Sequence, residues 1–131
     1  MEWLLDTNML IFAARDRPKA VRRRLQDISP DDVAVSSITI AELWYGAEKS
    51  DDPPRKREAW RKFLEPYLVL PFERAAAEEH ARLRYLLRQS PIGERDLLVA
   101  AIASANGLRI VTNNLAKFTR VPGLIVEDWS K

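Results

Sequence analysis

Three carboxylates and one side-chain amide stand where apolar runs give way to polar turns: Asp6, Glu42, Asp96 and Asn114. Asp6 follows Trp3-Leu4-Leu5, a short apolar run of the kind a buried strand carries. Glu42 sits among Ile38, Ile40, Ala41 and Leu43, less than two helical turns beyond the apolar residues 33–35. Asp96 heads residues 97–103, which are apolar nearly all round. Asn114 follows residues 108–111 as Asp6 follows Leu4-Leu5. In a parallel α/β sheet such strand-to-helix points share one edge, the edge where open α/β folds keep their ligands. Three acids converging there repel and raise one another's pKa unless a divalent cation neutralises them. An all-oxygen set, in a chain with no cysteine and the single histidine His80, suits Mg²⁺ or Mn²⁺. A metal so held lowers the pKa of a bound water and stabilises charge developing on phosphorus oxygens, which is the chemistry of phosphodiester hydrolysis.

Each residue also has a plain structural reading. Asp6 precedes Thr7-Asn8 and the apolar run Met9-Leu10-Ile11-Phe12, so it can cap a helix. Glu42 stands three places after Thr39, the spacing of a capping box. An acid in a first helical turn, as at Asp96, gains about 0.3–1 kcal/mol from the helix dipole. Asn113-Asn114 is a common turn. The joint occurrence of all four at predicted element ends favours chemistry.

The elements that must position these residues alternate. Strands are expected at the start of the chain through Leu5 and at residues 33–37, 68–70, 108–112 and 124–126. Helices are expected after Asp6, at residues 18–27, at 39–47, in a segment carrying Trp60, Phe63 and Leu64, at 73–89 and through 97–103, with a short turn before Phe118. Strand and helix in alternation mean a parallel sheet covered on both faces. The helix carrying Leu43, Trp44 and Tyr45 and the one carrying Trp60 and Phe63 form an expected hairpin whose aromatics mark an interface. His80, between alanines and leucines, reads as structural.

With 131 residues, 47% of them hydrophobic and 31% charged, the chain is expected to be one globular domain. No apolar stretch approaches the roughly 20 residues of a membrane span. No basic start leads into an apolar core, so no signal peptide is read and a cytoplasmic location is expected. The formal net charge is only +2. Basic clusters at Arg15, Arg17, Lys19 and residues 22–24, and at residues 55–57, 61 and 62, read as solvated helix faces or as phosphate-attracting patches. With four glycines and no glycine-rich phosphate loop, a nucleotide-binding α/β domain is disfavoured.

The same residues carry a family resemblance. Leu4-Leu5-Asp6-Thr7-Asn8 resembles the opening motif of PIN-domain ribonucleases. The run from Ser36 through Ile38-Thr39-Ile40-Ala41-Glu42-Leu43-Trp44-Tyr45-Gly46 to Ala47 is similar to the second motif of VapC toxins of bacterial type II toxin–antitoxin modules, and Ile92-Gly93-Glu94-Arg95-Asp96-Leu97-Leu98-Val99-Ala100-Ala101 to the third. Val111-Thr112-Asn113-Asn114 to Phe118, Val121-Pro122-Gly123-Leu124 and Glu127-Asp128-Trp129 resemble the C-terminal signature. The resemblance spans nearly the whole chain in the right order. It implies a three-layer α/β/α PIN-like fold, a parallel sheet of four to five strands and a protruding helical hairpin. It implies a Mg²⁺- or Mn²⁺-dependent endoribonuclease, with transfer RNA as an expected substrate, and a homodimer. It also implies a cognate VapB-type antitoxin whose tail blocks the site and through which alone the chain meets DNA.

Carried over, Asp6, Asp96 and Glu42 are the metal ligands, Glu42 alternatively orienting or deprotonating the attacking water. Asn114 and Thr112 position that water or the scissile phosphate, and Thr7, Asn8 and Ser37 join them in positioning substrate. The chain departs from the pattern in three places. Asn114 stands where many members have Asp, Lys117 where an acid often precedes the Phe, and the connector Arg88-Gln89-Ser90-Pro91 is shorter than usual. The alternative is a catalytically weak binding module that acts through antitoxin and DNA as a corepressor.

Overall fold

The computed structural model describes residues 1–131. The apolar triplet at the N-terminus forms β1 (Trp3–Leu5), buried throughout. It is the middle strand of a five-stranded parallel sheet that also holds β2 (Val33–Ser36), β3 (Leu68–Leu70), β4 (Arg109–Val111) and β5 (Val126–Glu127), in the order β3-β2-β1-β4-β5. The register places Leu4 opposite Ala34 on one side and Ile110 on the other, with Leu5 beside Val111. The first three strands run outward from the centre; β4 then returns to the other side of β1. The order therefore reverses between β1 and β4, and a crevice opens beyond their carboxyl ends.

Alternating strand residues serve two faces. Leu4, Ala34 and Ile110 join a core with Leu83 of α5 (Arg74–Leu86), Ala100 and Ile102 of α6 (Glu94–Ala105), and Phe118 of α7 (Leu115–Phe118). Trp3, Leu5, Val33, Val35 and Val111 face a second core. There they meet Leu10 of α1 (Thr7–Arg15), Val21 of α2 (Lys19–Gln26), Leu43 of α3 (Ser37–Glu48) and Leu64 of α4 (Pro53–Leu64). The result is the expected three-layer α/β/α arrangement. No helix is long and apolar enough to cross a membrane.

Several boundaries differ from the sequence expectation, each for a local reason. Ser36, not Thr39, caps α3: its hydroxyl accepts the Thr39 N–H at 3.0 Å. Glu42 is thus in the second turn of α3 and is no capping-box partner. The Asp51-Asp52 connector supplies a cap as well, the Asp52 carboxylate accepting from the Arg55 N–H with proline at the first helical positions. Helix α5 stops at Leu86 instead of 89, because the chain must leave helical geometry before Pro91. Strand β5 begins at Val126 rather than 124. Gly123, at φ 78°, and Leu124, which donates back to Val121, are still turning there.

Helices α3 and α4 form the expected hairpin, tied by an ion pair between Arg57 and Glu48. Trp44, Trp60 and Phe63 are half-buried against the second core, while Tyr45 is exposed. Much of the hairpin's aromatic surface is thus used within the chain. The basic clusters are partly structural too. Arg22 donates to the last carbonyls of α1, and the Arg24 guanidinium lies 5.1 Å from the Trp129 ring centroid.

Candidate active site

Where β1 ends, the Asp6 N–H still bonds to the Val111 carbonyl of β4 at 3.0 Å. The Asp6 side chain then turns back, and Oδ1 accepts the Met9 N–H at 3.0 Å, capping α1. Cap and crevice are the same place, so one carboxylate meets both demands. Burial pushes its pKa from the ordinary 3.8 up to about 6. The Thr112 hydroxyl and the Met9 N–H hold it down, and the charges of Asp96 and Glu42 add to the rise.

Glu42 reaches the same edge from α3. Its Oε1 lies 2.9 Å from the Thr7 hydroxyl, which is itself 3.3 Å from the hydroxyl of Thr39. The Ser36 hydroxyl lies 3.3 Å from Thr39 on the other side. A hydroxyl has one proton to give, so the run Ser36–Thr39–Thr7 is satisfied when each donates toward Glu42. Ser36 and Thr39 are completely buried. They hold the first turn of α3 and supply the hydroxyls behind Glu42. Sequence reading overlooked this pair, although hydroxyl residues at 36, 37 and 39 ahead of an apolar helix were the available signal.

Asp96 lies in the first turn of α6, whose head is set by Gly93 at φ 100°, a conformation that favours glycine. The Asp96 Oδ2 is 3.1 Å from the Lys117 ammonium of α7. Asn114 heads α7 without using its side chain as a cap, and its N–H donates to the Thr112 hydroxyl at 2.9 Å.

Asp6, Thr7, Asn8, Glu42, Asp96 and Asn114, with Val99 and Phe118, line one cavity of about 120 Å³. Six of the eight residues singled out from the sequence therefore meet. Thr112 is completely buried beneath them and shapes the turn that presents Asn114. Ser37 heads α3 but is not part of the lining. The Asn8 amide donates to Asn113 at 3.4 Å across the rim. A larger groove of about 550 Å³ runs between α5 and the head of α6, past His80, Leu87 and Leu97, but gathers only one carboxylate, Glu94. His80 packs edge-on against Phe72 at 5.8 Å. The smaller cavity is the one equipped for chemistry.

As the side chains stand, no three carboxylates converge closely enough to hold one ion. Two of them instead face the chain's own cations: Asp96 faces Lys117, and Glu42 faces the Arg95 guanidinium at 3.4 Å. Both cations occupy places where positive charge is wanted, and the donors around them are hard oxygens. Hard oxygen donors of this kind suit a hard divalent cation.

Residues 3–124 match the family model described as PIN domain. The chain is 41% identical over 132 residues to a tRNA(fMet)-specific endonuclease VapC of Shigella flexneri, covering 99% of each chain. It is 37% identical to a protein of the same description from Salmonella typhimurium, over 98% of each. Among solved structures, DNA-bound VapBC from Salmonella typhimurium superposes with a TM-score of 0.91 at 37% identity, covering 98% of both chains. VapBC2 of Rickettsia felis, bound to a promoter DNA fragment, gives 0.90 at 33% identity, covering 98% of this chain and 99% of that one.

Proposed function

We propose that this chain, which belongs to the PIN-domain family of VapC ribonucleases, is a divalent-metal-dependent endoribonuclease and the toxin of a VapBC-type toxin–antitoxin module. The observation that carries this is the meeting of Asp6, Glu42, Asp96 and Asn114 in one small cavity beyond β1 and β4. In this mechanism Asp6 and Asp96 would hold Mg²⁺ or Mn²⁺, with Glu42 as a third ligand or as the group that orients the attacking water. Such an ion, when bound, would lower the pKa of a water and supply positive charge for the phosphorus oxygens. In the second role Glu42, held by the Thr7 hydroxyl, would orient the attacking water and receive its proton. The Asn114 amide and Asn8 donate to the scissile phosphate, with Thr112 bracing the Asn114 turn. The curated relatives are named for tRNA(fMet), and transfer RNA is the substrate class proposed here.

The proposed assembly is a homodimer of single-domain chains, residues 1–131, bound to a VapB-type antitoxin, with DNA reached through the antitoxin. The structural neighbours are such VapBC complexes. A groove of about 390 Å³ along α1, α3 and α4, lined by Ile11, Leu43, Trp60 and Phe63, shares Thr7 and Glu42 with the acidic cavity. An antitoxin segment seated there would reach the acids. The competing reading, a corepressor with a disabled site, draws support from the ion pairs on Asp96 and Glu42.

Incubating the purified chain with total cellular RNA, followed by mapping of the new ends, decides between them. Cleavage should require Mg²⁺ or Mn²⁺, stop in EDTA and return when the ion is restored. Undiminished cleavage after exhaustive chelation would sink the metal mechanism. No cleavage with any divalent ion, together with normal antitoxin–DNA complexes, would select the corepressor.

A further inference from the structure

We propose that Lys117, held on Asp96 at the edge of the acidic cavity, is a resident cation that takes the place of a second metal ion and limits the site to one divalent ion per chain. This rests on the metal-dependent reading above. Lys117 lies three residues after Asn114 on the single turn of α7, a spacing that brings both to one side. The neighbouring Phe118 is 1% exposed and anchors that turn in the core, so the lysine backbone is fixed. From there the ammonium reaches Asp96 at 3.1 Å, crossing the head of α6 so closely that a Cβ on Gly93 would stand 3.8 Å from it. A helix N-terminus repels a cation. The Asp96 carboxylate is therefore what holds the ammonium there.

Charge counting gives the consequence. Asp6, Glu42 and Asp96 bring three negative charges to the cavity and Lys117 returns one positive charge, leaving the two that a single divalent ion neutralises. Arg95 does not change the count much: its side chain is 71% exposed and 3.4 Å from Glu42, a rim contact that solvent screens. The cavity of about 120 Å³ is roughly four water volumes. The ammonium stands at its edge, on the Asp96 carboxylate that the cavity shares. The ammonium keeps a positive charge on Asp96, which leaves that carboxylate less free to hold a second ion.

Calorimetric titration of the RNA-free protein with Mn²⁺, with electron paramagnetic resonance counting the free ion, tests this. Wild type should bind one Mn²⁺ per chain. Lys117→Arg should match it, Lys117→Met should bind one ion about tenfold more tightly because an opposing charge is gone, and Lys117→Glu should bind a second. Lys117 is 41% exposed, so none of these changes burdens the core, and circular dichroism checks their folding. Two ions bound by wild type, or all variants binding one ion with wild-type affinity, would overturn the assignment of Lys117 and leave the metal mechanism standing. No Mn²⁺ bound by any of them would overturn both.

Discussion

At Asp6 one carboxylate caps α1 through the Met9 N–H while facing the cavity beside Asp96 and Glu42, and burial lifts its pKa to about 6. Because that value lies above the ordinary 3.8, the metal-free fold favours the protonated acid. The stabilisation this gives is fully present below about pH 3.8 and is lost as pH rises through about 6. Metal-free wild type should therefore lose stability relative to Asp6→Asn between pH 4 and 7, asparagine being an equally good cap. Paired thermal melts across that range should show the variant gaining on wild type as pH rises. A constant difference would mean that Asp6 carries no buried charge. With Mg²⁺ present the order changes: the ion should raise the melting temperature of wild type far more than that of the variant. RNA cleavage by Asp6→Asn should fall by about a hundredfold or more, as when a metal ligand is lost. Wild-type cleavage in that variant would leave Asp6 as a cap alone.

Helix heads are the elements that carry the chemistry, and their caps do more than end a helix. Ser36 closes β2, caps α3 and starts the hydroxyl run toward Glu42. Ser36→Ala should cost about 1–2 kcal/mol, the upper range for a cap, since it leaves a buried Thr39 N–H unpaired. It should also slow cleavage, less than loss of Asp6 does, by loosening Thr39 and Thr7 behind Glu42. Asp52→Ala is the control: it removes an exposed cap from α4 that is no part of the cavity lining, and should cost stability without altering cleavage. Urea unfolding and initial cleavage rates on the two variants separate the effects. Equal cleavage in both would remove any part for the hydroxyl run. The capping-box spacing of Thr39 and Glu42 misled because residues 36, 37 and 39 are all competent caps. The choice among them falls where β2 leaves the sheet, and that is set by Ser36 pairing with Leu70 of β3.

For the whole molecule, sheet order places the cavity. β1 and β4 are neighbours although 103 residues lie between Leu5 at the end of one and Arg109 at the start of the other; Leu5 is aligned with Val111 in the ladder, so Asp6 and the Asn114 turn emerge side by side. The hairpin of α3 and α4 forms one wall of the groove that runs into this cavity. Tyr45 at its surface is 62% exposed. The hairpin's other aromatics pack inward, so the expectation rests on the proposed toxin–antitoxin assembly: the chain should sediment as a homodimer at micromolar concentration, alone and with antitoxin bound. A monomer under both conditions would count against the dimer and confine the hairpin to the antitoxin.

The alternation of strand and helix, the buried first strand and the acids at element ends were all legible in the sequence. Each is written in residues within a few positions of one another: apolar triplets, a cap, a polar residue after an apolar run. The fold class followed, and so did six residues of the cavity. Tertiary structure alone decided which hydroxyl caps α3, that Thr112 is sealed beneath Asn114, and that β5 starts two residues late. It alone set Lys117 against Asp96 and Arg95 against Glu42. These depend on which strands become neighbours and how helices from distant parts of the chain cross at one edge. Burial and charge are summed over those neighbours, and no local spacing encodes the sum.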